Sequence, residues 1–64
     1  MKLNGKTIQI KPGETLLSLL ETLGNKPERV AAELNDAIVP REQFATTTLR
    51  DTDILEIVCF VGGG

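Results

Sequence analysis

Sixty-four residues with seven basic against nine acidic side chains, a net charge of −2 and no histidine leave room for one domain, near the lower limit at which a core holds without metals or disulfides. A single cysteine, Cys59, excludes a zinc cluster, a Cys–His nucleophile pair and a disulfide framework, and one unpaired thiol with no apolar leader predicts a reducing cytosol. The acidic balance argues against a nucleic-acid surface, the lack of Trp and Tyr against base stacking, and no segment approaches the length of a membrane span.

The first ten residues predict a hairpin. Asn4-Gly5 is a type I′ turn pair, Leu3 precedes it, and Ile8 and Ile10 follow with Thr7, Gln9 and Lys11 facing water. Pro12-Gly13-Glu14 breaks the strand, and Thr15 is placed to cap a helix with its hydroxyl. Leu16, Leu19, Leu20 and Leu23 then recur on one helical stripe, with Leu17 at its edge. Gly24-Asn25 supplies the left-handed chemistry that ends such a helix.

From Pro27 a turn leads into a strand in which Val30, Ala32 and Leu34 share one face and Ala31, Glu33 and Asn35 the other. Asp36 turns the chain into a brief strand, Ala37-Ile38-Val39, which Pro40 stops, so an edge position is expected. Residues 41 to 53 read as mostly irregular, anchored in the core by Phe44 and Leu49 and closed by an Asp51-Thr52-Asp53 turn. The β-branched run Ile54 to Val61 predicts the central strand.

One helix on one face of a mixed sheet of four or five strands is an α+β arrangement. If the first and last strands lie side by side, the helix is a right-handed crossover between strands two and three. That is the β-grasp, or ubiquitin-like, roll. The expected division is a β-grasp domain over residues 1–60 and a flexible glycine tail over residues 61–64.

Alternation along the last strand assigns Leu55, Ile57 and Cys59 to one face and Glu56, Val58 and Phe60 to the other. Burying Glu56 unpaired would be costly, so the core set is expected to be Leu55, Ile57 and Cys59, leaving Val58 and Phe60 exposed as a docking patch. Val61 to Gly64 can reach roughly 13 Å beyond the sheet and end in a carboxylate. Three residues without side chains can thread a channel that admits only backbone. A carboxylate is a poor acyl donor, whereas its mixed anhydride with adenylate is a reactive one, so ATP-dependent activation by a partner is the expected chemistry.

The segments "NGK", "IKPGETLLSLLETLG", "VAAELNDAIVPR" and "LRDTDILEIVCFVGGG" together resemble the ThiS family, ubiquitin-like sulfur carriers of thiamin thiazole synthesis, over essentially the whole chain. The resemblance implies a protein cosubstrate with no tightly bound cofactor, not an enzyme. Its working residue would be Gly64, adenylated and then held as a thiocarboxylate, the covalent form of the sulfur. Gly62 and Gly63 would be the thin approach, and Val58, Phe60 and Val61 would meet the partners. Those partners would be an E1-like adenylyltransferase of the ThiF type using ATP, a thiazole synthase of the ThiG type and a cysteine-desulfurase-type sulfur source. The alternatives are a carrier like the small subunit of molybdopterin synthase, a ubiquitin-like modifier that forms isopeptide bonds, or a simple β-grasp binding module.

The remaining candidates have structural readings beside the chemical ones. Cys59 is expected as a small inward-facing hydrophobe, inert through burial, against a role in relaying sulfur. Arg41 is either a contact to the activating enzyme or a solvated loop residue. Asn4-Gly5 and Asn35-Asp36 are turn chemistry, and Asp51 with Asp53 lacks the further oxygen ligands of a calcium loop.

Overall fold

Asn4 and Gly5 both take positive φ, 50° and 85°, the combination a type I′ turn requires. In the computed structural model, which describes residues 1–60, this turn closes β1 (Lys2–Leu3) on β2 (Lys6–Thr7). The ladder is shorter than the sequence pattern suggests, because β1 offers β2 only two partners. Ile8 still follows the hairpin, its N–H donating to the Met1 carbonyl at 2.9 Å, and both Ile8 and Ile10 pack against the core.

Helix α1 (Leu16–Thr22) starts at Thr15, whose hydroxyl accepts from the Ser18 N–H at 3.1 Å, while the Ser18 hydroxyl accepts from the Thr15 N–H at 2.9 Å. This reciprocal box satisfies two backbone donors at once. The free N–H groups of Leu16 and Leu17 go to the carbonyls of Thr47 and Phe44, at 2.9 and 3.0 Å, so the irregular loop is what completes the helix start. At the other end Gly24 adopts φ 78°. Its N–H donates to Glu21 and that of Asn25 to Leu20, the paired bonds of a Schellman cap.

A 3₁₀ turn, Pro27–Arg29, leads into β3 (Val30–Leu34). Asn35 and Asp36, with φ 52° and 69°, form a second turn with positive φ at both central positions. That turn pairs β3 antiparallel with β4 (Ala37–Val39), Leu34 opposite Ala37. A further 3₁₀ turn, Arg41–Gln43, lies within the loop before β5 (Ile54–Cys59). The five strands run in the order β2-β1-β5-β3-β4. β5 is central, parallel to β1 and antiparallel to β3, and β4 sits at the edge, where Pro40 costs no ladder bond. With α1 joining β2 to β3, this is the β-grasp roll.

Leu16, Leu20 and Leu55 are fully enclosed, and removing each side chain from water contributes about 2–3 kcal/mol. Leu19, Val30, Ala32 and Ile57 complete the contact between helix and sheet, and Phe44 and Leu49 close it from the loop. Among the described residues no helix is long and apolar enough to cross a membrane.

Three expectations need correction. Leu23, which periodicity places on the buried stripe, is 44% exposed, since α1 ends at Thr22 and Leu23 is its C-cap. Cys59, which alternation puts in the core set with Leu55 and Ile57, is exposed. It lies opposite Val30 on the helix side of the sheet, but at the end of β5, where its neighbour is Asn25, whose Oδ1 accepts from Sγ at 3.7 Å. The inertness expected from burial therefore has no basis.

Asp53, read as a turn residue, is buried. Its Oδ1 accepts from Asn35 Nδ2 at 2.9 Å and its Oδ2 from the Arg50 N–H at 2.8 Å, which offsets the cost of desolvating it. Asn35 also accepts from the Ile54 N–H at 2.9 Å. One clasp thus ties the β3–β4 turn to the start of β5. The expected tail, Val61, Gly62, Gly63 and Gly64, lies outside the described residues.

Candidate functional site

Strand pairing determines what the side of the sheet away from α1 presents. Residues directly opposite one another share a face, so Glu56 on β5, Glu33 on β3 and Ile38 on β4 form one row. The next row toward the end of β5 joins Val58 to Ala31. In the other direction Ile54 pairs with Lys2 on β1, which pairs with Thr7 on β2. Phe60 follows the strand and is held by its N–H, which donates to the Arg29 carbonyl at 2.8 Å.

Four large apolar side chains of this side are exposed. Val58 is 61% exposed, Phe60 53%, Ile54 54% and Ile38 75%. Val58 and Phe60 are thus on the open side, as alternation along the strand predicts. Sequence reasoning missed Ile38 and Ile54 as members of the patch. The signal for Ile38 was present in Asn35-Asp36: a two-residue hairpin turn fixes the register and puts Ile38 beside Glu33. Exposed apolar side chains interleaved with Glu33 and Glu56 on one sheet face are what a protein-docking surface would present.

The other singled-out residues lie away from this face. Arg41 is exposed, and its Nη2 donates to the Glu28 carbonyl at 3.3 Å, which ties the two 3₁₀ turns together. Asn4 is structural as well as a turn residue, because its Oδ1 accepts from the Ile57 N–H at 2.8 Å and extends the contact of the first hairpin with β5. Asp53 is occupied by the Asn35 clasp.

A domain of this form, with its apolar face on the strand that leads to residues 61–64, is matched over residues 1–64 by the model described as the ThiS family. The chain belongs to the ThiS family. It is 37% identical over its whole length to the sulfur carrier protein ThiS of Bacillus subtilis, covering 98% of that protein. A crystal structure of the thiamine biosynthesis protein ThiS from Geobacter metallireducens superposes with a TM-score of 0.78 at 36% identity, with 98% of this chain and 96% of that one covered. ThiS proteins are small carriers of sulfur in thiamine biosynthesis and not enzymes, and this chain is such a carrier. A thiazole synthase of Magnetococcus marinus is 44% identical over 97% of this chain, yet the chain spans only 19% of that protein's length.

Proposed function

We propose that the carrier works through the carboxylate of Gly64 and docks on its enzymes through Val58, Phe60 and Val61, with Gly62 and Gly63 as the segment that enters their active sites. An E1-like adenylyltransferase of the ThiF type joins the carboxylate to AMP at the expense of ATP, releasing pyrophosphate. The terminal sulfur of a persulfide on a cysteine-desulfurase-type donor then displaces AMP to form an acyl disulfide. A thiol attacks the donor's own sulfur, is oxidised to a disulfide with it, and releases the acyl-bound sulfur. One carboxylate oxygen leaves with the AMP and sulfur takes its place, so the product is a thiocarboxylate. A thiazole synthase of the ThiG type accepts that sulfur. The compartment is the reducing cytosol, where a thiocarboxylate and the free Cys59 thiol both persist.

The observation that carries this reading is the exposure of Val58 on the central strand and of Phe60 directly after it, just before residues 61–64. An enzyme gripping that strand face has the tail within reach, and pre-positioning of this kind is how a bimolecular acyl transfer becomes an efficient one. Membership of the ThiS family supports the sulfur chemistry over isopeptide formation.

Intact mass after incubation with the adenylyltransferase, ATP and a sulfur donor tests the chemistry. The expected product is heavier by the difference between sulfur and oxygen; conjugates on lysine side chains would instead identify a modifier. Deletion of Gly64 is expected to abolish loading and leave the melting temperature unchanged, and loaded product from the shortened chain would refute the assignment.

A further inference from the structure

Within the open face one feature opposes stability. Glu33 and Glu56 stand directly opposite each other across β3 and β5, and both are exposed. Like charges at directly paired positions of an antiparallel ladder destabilise it. Their neighbours on this face do not neutralise them. Ile38 flanks the pair on β4, Ala31 and Val58 form the row on one side, and Ile54 begins the row on the other. The nearest cation by register is Lys2, opposite Ile54 one row away. Two carboxylates are therefore set side by side with Ile38, Ala31, Val58 and Ile54 as their neighbours, across β3 and the strand β5 that leads to residues 61–64.

We propose that Glu33 and Glu56 are specificity contacts that together receive one arginine or lysine of thiazole synthase, presented from an otherwise apolar surface. This rests on the sulfur-carrier reading. Two carboxylates converging on one cation have the geometry that a guanidinium or ammonium group satisfies, and a water-poor apolar surround strengthens the attraction. Thiazole synthase is the partner favoured because the Magnetococcus marinus relative contains a segment like this chain within a thiazole synthase, so the two surfaces occur in one polypeptide there. The same pair repels an acidic or purely apolar partner, which would leave both charges buried without a counter-ion.

The pair can be tested by effects of opposite sign. Glu33→Gln and Glu56→Gln keep shape and remove the repulsion, so each variant is expected to melt about 2–5 °C higher than the parent. Each is also expected to bind thiazole synthase about tenfold or more weakly by calorimetric titration at low salt. Raising the salt concentration should weaken the parent complex more than that of the doubly substituted chain. Unchanged affinity for thiazole synthase, a loss confined to the adenylyltransferase, or a fall in melting temperature would each overturn the inference. Sulfur loading of the unsubstituted chain is measured alongside. If it fails, the carrier reading itself is wrong; if it succeeds while the glutamine variants bind normally, only the role of the glutamates is lost.

Discussion

The two sides of β5 differ as completely as two sides of one strand can. Toward α1, Leu55 is fully buried and Ile57 nearly so; away from it, Ile54, Val58 and Phe60 are each more than half exposed. All are apolar, so hydrophobicity alone does not decide which of them stabilises the fold. What decides is whether a second layer covers the face. The helix covers one side and leaves the side chains of the other exposed, so the strand has a structural half and, on the proposed function, a docking half only one residue apart.

The contrast makes a graded set of predictions. Leu55→Ala should cost about 3–4 kcal/mol, because it opens a cavity where neither helix nor loop can collapse fully. Urea denaturation monitored by circular dichroism measures it, and a cost below about 1 kcal/mol would mean that Leu55 is not at the centre of the core. Asn35→Ala should cost about 2–3 kcal/mol by the same measurement. It removes the donor to buried Asp53 and the acceptor for the Ile54 N–H, and leaves a residue with Cβ at φ 52° without the side chain that favours that conformation.

Phe60→Ala is the sharpest contrast with Leu55→Ala. Its effect on stability should stay within about 0.5 kcal/mol, as for surface positions generally. Its effect on binding to the activating enzyme should be a loss of about tenfold or more, as expected for an aromatic anchor at a docking surface. A large destabilisation with intact binding would show that the two faces of the strand had been interchanged.

Much of the architecture was legible because its determinants are local. Asn4-Gly5, the Thr15 cap, Gly24 and the Asn35-Asp36 turn each specify backbone dihedrals through their own chemistry, and each occurs where the sequence places it. The order of elements and the central position of the last strand followed from these signals and from the two hydrophobic periods. The candidate patch was read in half: alternation along β5 puts Ile54 on the same side as Val58 and Phe60, and the Asn35-Asp36 hairpin turn sets Ile38 beside Glu33, signals that were present in the sequence but not drawn on.

The misread residues share one cause. Leu23 and Cys59 obey the periodicity of their elements and still lie in the open, because the helix stops at Thr22 and periodicity gives direction, not how far the covering layer extends. Asp53 errs the other way: a polar turn residue is buried because Asn35, eighteen positions away, supplies its partner.

The amino-acid sequence by itself determined the turns, the caps, the strand and helix periods and the resemblance that identifies a sulfur carrier, since each depends on residues within a few positions or on a linear motif. Only the tertiary structure decided that Glu33 faces Glu56, how exposed Ile38 and Ile54 are, and that Cys59 and Leu23 escape the core. Burial and juxtaposition depend on which surfaces the folded chain stacks against one another, and that is a property of the whole packing rather than of any segment.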